Sequence, residues 1–226
     1  FYSRYSYYAQ FEYYEFGCLP RELIEALYDW QTEIYQSIYL PQVKAKVAGE
    51  GVYVHNQTYL TLEEFDKIID GHHGSIHLVP CNCKSLMYFH DRKLNVCVNM
   101  NDGPNSAVDR GMGEPISPED MKKKVREFNA SGLMQNGEDG FICNCDGLCC
   151  FPMQMAYKAG SRLIYPESNW KIDWHEDECV NCGKCTKICN FGAFYKDDNR
   201  KVHYDVDKCW GCTICAPNCP KHAIHL

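Results

Sequence analysis

Cys179-Val180-Asn181-Cys182-Gly183-Lys184-Cys185-Thr186-Lys187-Ile188-Cys189, followed by Cys209-Trp210-Gly211-Cys212-Thr213-Ile214-Cys215-Ala216-Pro217-Asn218-Cys219, decides the reading of this chain. Both stretches have the spacing C-x2-C-x2-C-x3-C, and each cysteine of the second lies 30 residues after its counterpart. Such a period is the mark of one supersecondary unit used twice. Three thiolates two residues apart on a tight loop reach three irons of one cubane, and the loop N–H groups turn toward the sulfides. The last cysteine of each run then serves the other cluster. Cys179, Cys182, Cys185 and Cys219 form one predicted ligand set; Cys209, Cys212, Cys215 and Cys189 form the second.

The residues between the runs fit this arrangement. Ala193–Tyr195 and Val202–Tyr204 read as two strands joined by the polar turn Lys196–Lys201. Gly183 and Gly211 relieve crowding where the backbone wraps a cluster. A zinc ribbon needs only two C-x2-C pairs and leaves the third and fourth cysteines of each run unexplained. Disulfides between thiols so close in sequence would be strained. The stretch from Lys171 to Leu226 resembles the bacterial-type ferredoxin domain with two [4Fe–4S] clusters. It departs from that pattern at Asn190, where a proline usually follows the fourth cysteine; this predicts a local change in turn rigidity.

The 226-residue chain carries 16 cysteines, 23 Lys and Arg and 30 Asp and Glu, for a formal net charge of −7. Residues from 171 onward hold eight basic and eight acidic side chains, so 15 basic and 22 acidic remain upstream. An acidic chain lacks the clustered Lys and Arg that phosphate contacts need, which argues against nucleic acid as a partner. No apolar run is long enough to span a membrane, and no signal peptide is visible. A reducing, cytoplasmic setting is expected from the thiol chemistry.

Upstream, residues 1–60 read as an aromatic-rich helical docking region. Nine of the first 16 residues are Phe or Tyr, suited to packing on the domain or to a partner or oligomer interface. A helix after Pro20 places Leu23, Leu27, Trp30, Ile34 and Ile38 on one stripe, predicted to face the core and to end at Pro41. Residues 61–166 read as a cysteine-containing α+β region. A helix starts at Thr61 with a capping box to Glu64 and stops at Gly71. Ser75–Val79 is a predicted strand. Ser117 and Pro118 open another helix whose Met121, Val125 and Phe128 face inward. Leu133–Gln135 and Gly140–Cys143 flank a predicted turn at Asn136-Gly137-Glu138-Asp139. Helix followed by hairpin is the ending of a winged-helix-like unit. Residues 166–169 read as a linker.

Cys81, Cys83, Cys97, Cys143, Cys145, Cys149 and Cys150 are upstream metal candidates; Cys18 reads as a buried free thiol. Soft thiolates without a histidine pair favour Fe–S or zinc. The readings are a third [4Fe–4S] cluster, a structural zinc site or a redox-active dithiol. Neighbouring side chains of extended backbone point apart. A cubane is therefore expected to use one of Cys81 and Cys83, Cys97, one of Cys143 and Cys145, and one of Cys149 and Cys150. Pro80-Cys81-Asn82-Cys83, the lone Cys97 and Ile142-Cys143-Asn144-Cys145 with Cys149-Cys150 are similar to an anaerobe ferredoxin-type family. So is Met112-Gly113-Glu114-Pro115-Ile116-Ser117. That resemblance implies a winged-helix-like region ahead of the ferredoxin part. His72 and His73 read as a polar turn, and Lys122, Lys123, Lys124 and Arg126 as a solvated face.

The fold expected is therefore α+β, a helical, winged-helix-like N-terminal region plus a small ferredoxin-like domain. The function expected is relay of single low-potential electrons to or from an oxidoreductase partner or catalytic subunit, with no catalytic residue of its own. The alternatives are a redox-sensing DNA-binding regulator, and a reductase with substrate at an open upstream cluster.

Overall fold

The computed structural model describes residues 20–42, 44–45, 58–81, 83–84, 95–100, 108–109, 111, 113–138, 140–147, 150, 153 and 168–226. The aromatic segment 1–16, Cys18 and Cys149 lie outside them. Helix α1, Arg21–Ile34, continues into a wide π turn, Tyr35–Tyr39. Its apolar stripe departs from the expected core face: Leu23, Trp30 and Ile38 are exposed. Pro41 does not end it either, since residues 40–42 are helical. The wide turn opens the i−4 position that a proline ring would otherwise strike.

Strand β1 is Thr58–Tyr59. Thr61 then caps α2, Leu62–Gly71, by accepting from the Glu64 N–H while the Thr61 N–H donates to the Glu64 carboxylate. Strands β2 (His77–Pro80), β3 (Asn95–Asn99) and β4 (Glu114–Pro115) follow. Ser117 caps α3, Pro118–Ala130, with Pro118 in its first turn. The hairpin β5 (Met134–Glu138) and β6 (Phe141–Cys145) completes this unit. The six strands form one antiparallel sheet in the order β1-β5-β6-β3-β2-β4.

Helix-then-hairpin is present as predicted, but the hairpin lies inside a six-stranded sheet, and its turn is displaced. Asn136 and Gly137 pair with Cys143 and Ile142 instead of turning. Gly137 is required there: φ is 149°, and a Cβ would strike the Phe141 carbonyl. Phe65 and Ile69 of α2 and Met121, Val125 and Phe128 of α3 pack on Leu78, Val96, Val98 and Ile142 of the sheet. Each fully buried side chain of this kind contributes about 1.5–3 kcal/mol. At the rim Lys122 pairs with Asp70 at 2.6 Å and Arg126 bidentately with Asp66.

The C-terminal unit has β7 (Asp173–Trp174) paired with β10 (Ile224–His225), and β8 (Phe194–Lys196) paired with β9 (Val202–Tyr204). A short helix α4, Lys184–Ile188, follows Gly183. Phe194, Val202, Cys215 and Ile224 form its small core.

Candidate metal centres

Eight cysteines in a unit this small leave little room for an apolar core, so the thiols themselves stand where a core would be. The chain folds the two runs toward each other, with Cys219 beside Cys179, Cys182 and Cys185, and Cys189 near Cys209, Cys212 and Cys215. Cys179, Cys182, Cys185 and Cys219 line one pocket, roofed by Trp174, Val202 and Ile224. Burial pushes the Cys185 thiol up to about 11, and the nearby sulfurs of Cys179, Cys182 and Cys219 add to the shift. In the second set, burial raises the thiols of Cys212 and Cys215, with Cys189 and Cys209 close to both. The described cysteines are all free thiols. A buried thiolate needs a positive partner, and an iron atom replacing the proton supplies one.

Backbone groups already point at the sulfurs. The Gly211 N–H donates to Cys209 Sγ at 3.4 Å, and the Thr186 and Ile214 N–H groups bond to Cys185 and Cys212. Gly183 and Gly211 hold φ of 76° and 66°. A Cβ at Gly211 would strike Ser168 and the Trp170 carbonyl, while the Ser168 hydroxyl donates to the Gly211 carbonyl at 2.6 Å. Burial, and then a hydrogen bond with Cys209, push the Tyr204 hydroxyl up. The two sets differ in exposure: Cys182 is exposed, whereas Cys212 and Cys215 are buried.

Six of the seven upstream cysteines converge. Cys83 and Cys97 both donate to Cys81, and Cys143 and Cys150 both donate to Cys145. Cys150 also reaches Cys83, and Cys143 reaches Cys97, so the hydrogen bonds close a ring of six sulfurs. These bonds lower the Cys81 thiol and bring Cys145 down to about 6, with Lys84 favouring both thiolates. The other four are raised: Cys143 and Cys150 chiefly because they donate to Cys145, Cys83 and Cys97 because they donate to Cys81 and are buried. Lys84, almost fully buried, pairs with Asp146 at 3.6 Å beside the ring.

Both members of Cys81/Cys83 and of Cys143/Cys145 border the ring. Residues two apart on a strand share a face, and Cys143 and Cys145 are two apart on β6.

The ring and the second crossed set share one apolar cluster: Cys145, Cys150 and Met153 pack with Tyr59, Met134, Ile188, Cys212 and Ile214. Phe191 stacks on Trp210 at 4.8 Å and meets Tyr59 edge-on at 6.5 Å. Polar bonds pin the two units together. Trp170 Nε1 donates to Glu64 at 3.1 Å, and the Thr213 hydroxyl donates to the Leu60 carbonyl at 3.2 Å. Asn190 accepts from the Gly147 N–H at 2.9 Å and donates to the Gly132 carbonyl at 3.0 Å. Asn218 starts a buried amide chain: it donates to Asn129, Asn129 to Gln135, Gln135 to Asn144, and Asn144 to the Val96 carbonyl. Reading the sequence singled out Asn190 only for turn rigidity, and missed Lys84, Asn129, Asn144 and Asn218. For Lys84, Asn144 and Asn218 the signal was a position next to a cysteine; Asn129 carried none.

Residues 172–226 match the family model for a 4Fe-4S dicluster domain. The matched range contains all eight cysteines of the doubled motif. No curated protein matches the chain, and no solved structure does. The chain is thus a mixed α and β protein with a C-terminal domain of the [4Fe–4S]-binding, electron-transferring kind. Among the described residues no helix is long and apolar enough to cross a membrane.

Proposed function

We propose that this protein relays single electrons between an external redox partner and a buried third centre, through two [4Fe–4S] clusters in its C-terminal domain. The observation that carries the reading is the shared apolar cluster, which holds Cys145 and Cys150 of the ring together with Cys212. Bound [4Fe–4S] clusters accept and release one electron at a time. Cys179, Cys182, Cys185 and Cys219 would hold the outer cluster, Cys209, Cys212, Cys215 and Cys189 the inner one. The ring of Cys81, Cys83, Cys97, Cys143, Cys145 and Cys150 would hold the third.

The division of labour follows from exposure. Cys182 and Val180 are open to solvent and suit the port at which a partner docks. The inner set and the ring are shielded by Phe191, Trp210 and Tyr59. The exposed Leu23, Trp30 and Ile38 support residues 1–60 as a second contact region for that partner. A DNA-binding reading fits less well, because Lys122 and Arg126 are already neutralised by Asp70 and Asp66.

The test is iron and acid-labile sulfide per chain on anaerobically purified protein. About twelve of each corresponds to three cubanes. About eight with no iron lost from a Cys81→Ser/Cys145→Ser variant would remove the third centre, and well under eight would remove the reading altogether.

A further inference from the structure

We propose that His175, Glu178 and His225 form a binding site for a divalent transition-metal ion of the zinc class, independent of the cysteine centres. Two short strands bring these residues together. β7 pairs antiparallel with β10, Asp173 facing His225 and Trp174 facing Ile224. The His175 N–H continues the pairing by donating to the Ala223 carbonyl at 2.9 Å. One turn of 3-10 helix, Glu176–Glu178, then folds the chain back, and the Glu178 N–H donates to the His175 carbonyl. The backbone thus fixes all three positions, although they are up to 50 residues apart (225 − 175).

One donor atom from each residue lies within 4.8 Å of the other two. His175 Nδ1 is 3.9 Å from Glu178 Oε1, and His225 Nε2 is 3.9 Å from Glu178 Oε2. The two imidazoles lie 4.7 Å apart between ring centres, tilted rather than stacked. Ligands on a tetrahedral zinc, with bonds of about 2.0–2.1 Å, stand about 3.4 Å apart. The donors therefore need to close by at most about 1.4 Å, and their half-exposed side chains have the freedom to do so.

A second feature separates this cluster from a chance meeting of surface side chains. The other nitrogen of His175, Nε2, is held at 3.1 Å by Asp173 Oδ2. Metal-binding histidines are commonly oriented in this way: the carboxylate accepts the proton on one nitrogen and leaves the other as a lone-pair donor. The surroundings also favour a cation. Asp173, Glu176, Asp177 and Glu178 lie within six residues, and Lys201 pairs with Glu176 at 2.6 Å. Two imidazoles and one carboxylate suit zinc, nickel or cobalt better than calcium or magnesium, which prefer oxygen alone. Three protein ligands leave a fourth position to water. The bound ion would staple the first and last strands of the domain beside Cys179.

The test uses the iron-loaded full chain, freed of loose metal by a chelator and titrated with zinc. Zinc retained after desalting is counted, and iron is measured in the same samples. At unchanged iron, wild type should retain one equivalent more than His225→Gln or His175→Gln. Any zinc bound at cysteines cancels in that difference. Asp173→Asn, which leaves all three donors in place, should weaken the extra equivalent by about ten- to a hundredfold. Zinc should also raise the melting temperature of wild type and not of His225→Gln. Equal zinc retention by wild type and both histidine variants would overturn the site. Should a histidine variant lose iron, an unchanged affinity in Asp173→Asn would overturn it instead.

Discussion

Asn190 occupies the position after Cys189 where a proline is usual, and the structure gives the substitution a purpose. Its amide reaches Gly147 and Gly132, 43 and 58 residues away. Asn218, just before Cys219, reaches Asn129. Cys189 and Cys219 are thus each flanked by an asparagine fastened to the upstream unit. Asn190→Pro removes both side-chain bonds and should cost about 1–3 kcal/mol, read as a lower denaturant midpoint at unchanged iron in the C-terminal domain. An unchanged midpoint would show that these bonds do not hold the units together. The crossing has its own test. Cys219→Ser should alter the same electron paramagnetic resonance signal as Cys182→Ser, and Cys189→Ser the same one as Cys212→Ser; the opposite pairing would mean that each run serves its own cluster. The cysteine spacing made the domain readable from sequence, and residues 172–226 match the dicluster family model. The asparagines were not readable, because their partners are fixed only by the tertiary fold.

Among the elements, those announced by local chemistry are present where the sequence placed them. The capping box of Thr61 and Glu64 and the cap Ser117 with Pro118 set the starts of α2 and α3 through contacts within three residues. Thr61→Ala should therefore cost about 1 kcal/mol and lower the thermal midpoint by a few degrees; since Glu64 also accepts from Trp170, Glu64→Ala should cost more. Elements that depend on partners were harder to read. β1 is two residues long and exists through its pairing with β5. The Asn136-Gly137 pair has turn chemistry, yet the ladder to β6 and β1 absorbs it. The amide chain that joins the strands carries a sharper expectation. Gln135 is fully buried and bonds on both sides, to Asn129 and Asn144. Gln135→Leu strands both neighbours and should destabilise by about 1–3 kcal/mol. Replacing Gln135 and Asn144 together by leucine should cost less than the sum of the single changes, because no half-satisfied partner remains between them.

At the scale of the whole molecule, the question is whether the upstream sheet and the C-terminal domain are two beads or one body. Sequence suggested two, with a linker at residues 166–169. Ser168, within that stretch, bonds to Gly211, and Trp170, just after it, bonds to Glu64. Tyr59, Met134 and Ile188 from both units bury the same apolar cluster around Cys145, Cys150 and Cys212. Burying large side chains at about 1.5–3 kcal/mol each makes this junction comparable with the net stability of a domain, about 5–15 kcal/mol. Separate unfolding would expose that surface while one unit stayed folded. Unfolding of the iron-loaded protein should therefore be a single cooperative event, with tryptophan fluorescence, far-ultraviolet circular dichroism and cluster absorbance falling at the same denaturant concentration. Loss of cluster absorbance well before the secondary-structure signal would mean that the C-terminal domain melts alone, and that the apolar cluster shared by the two units does not couple their unfolding.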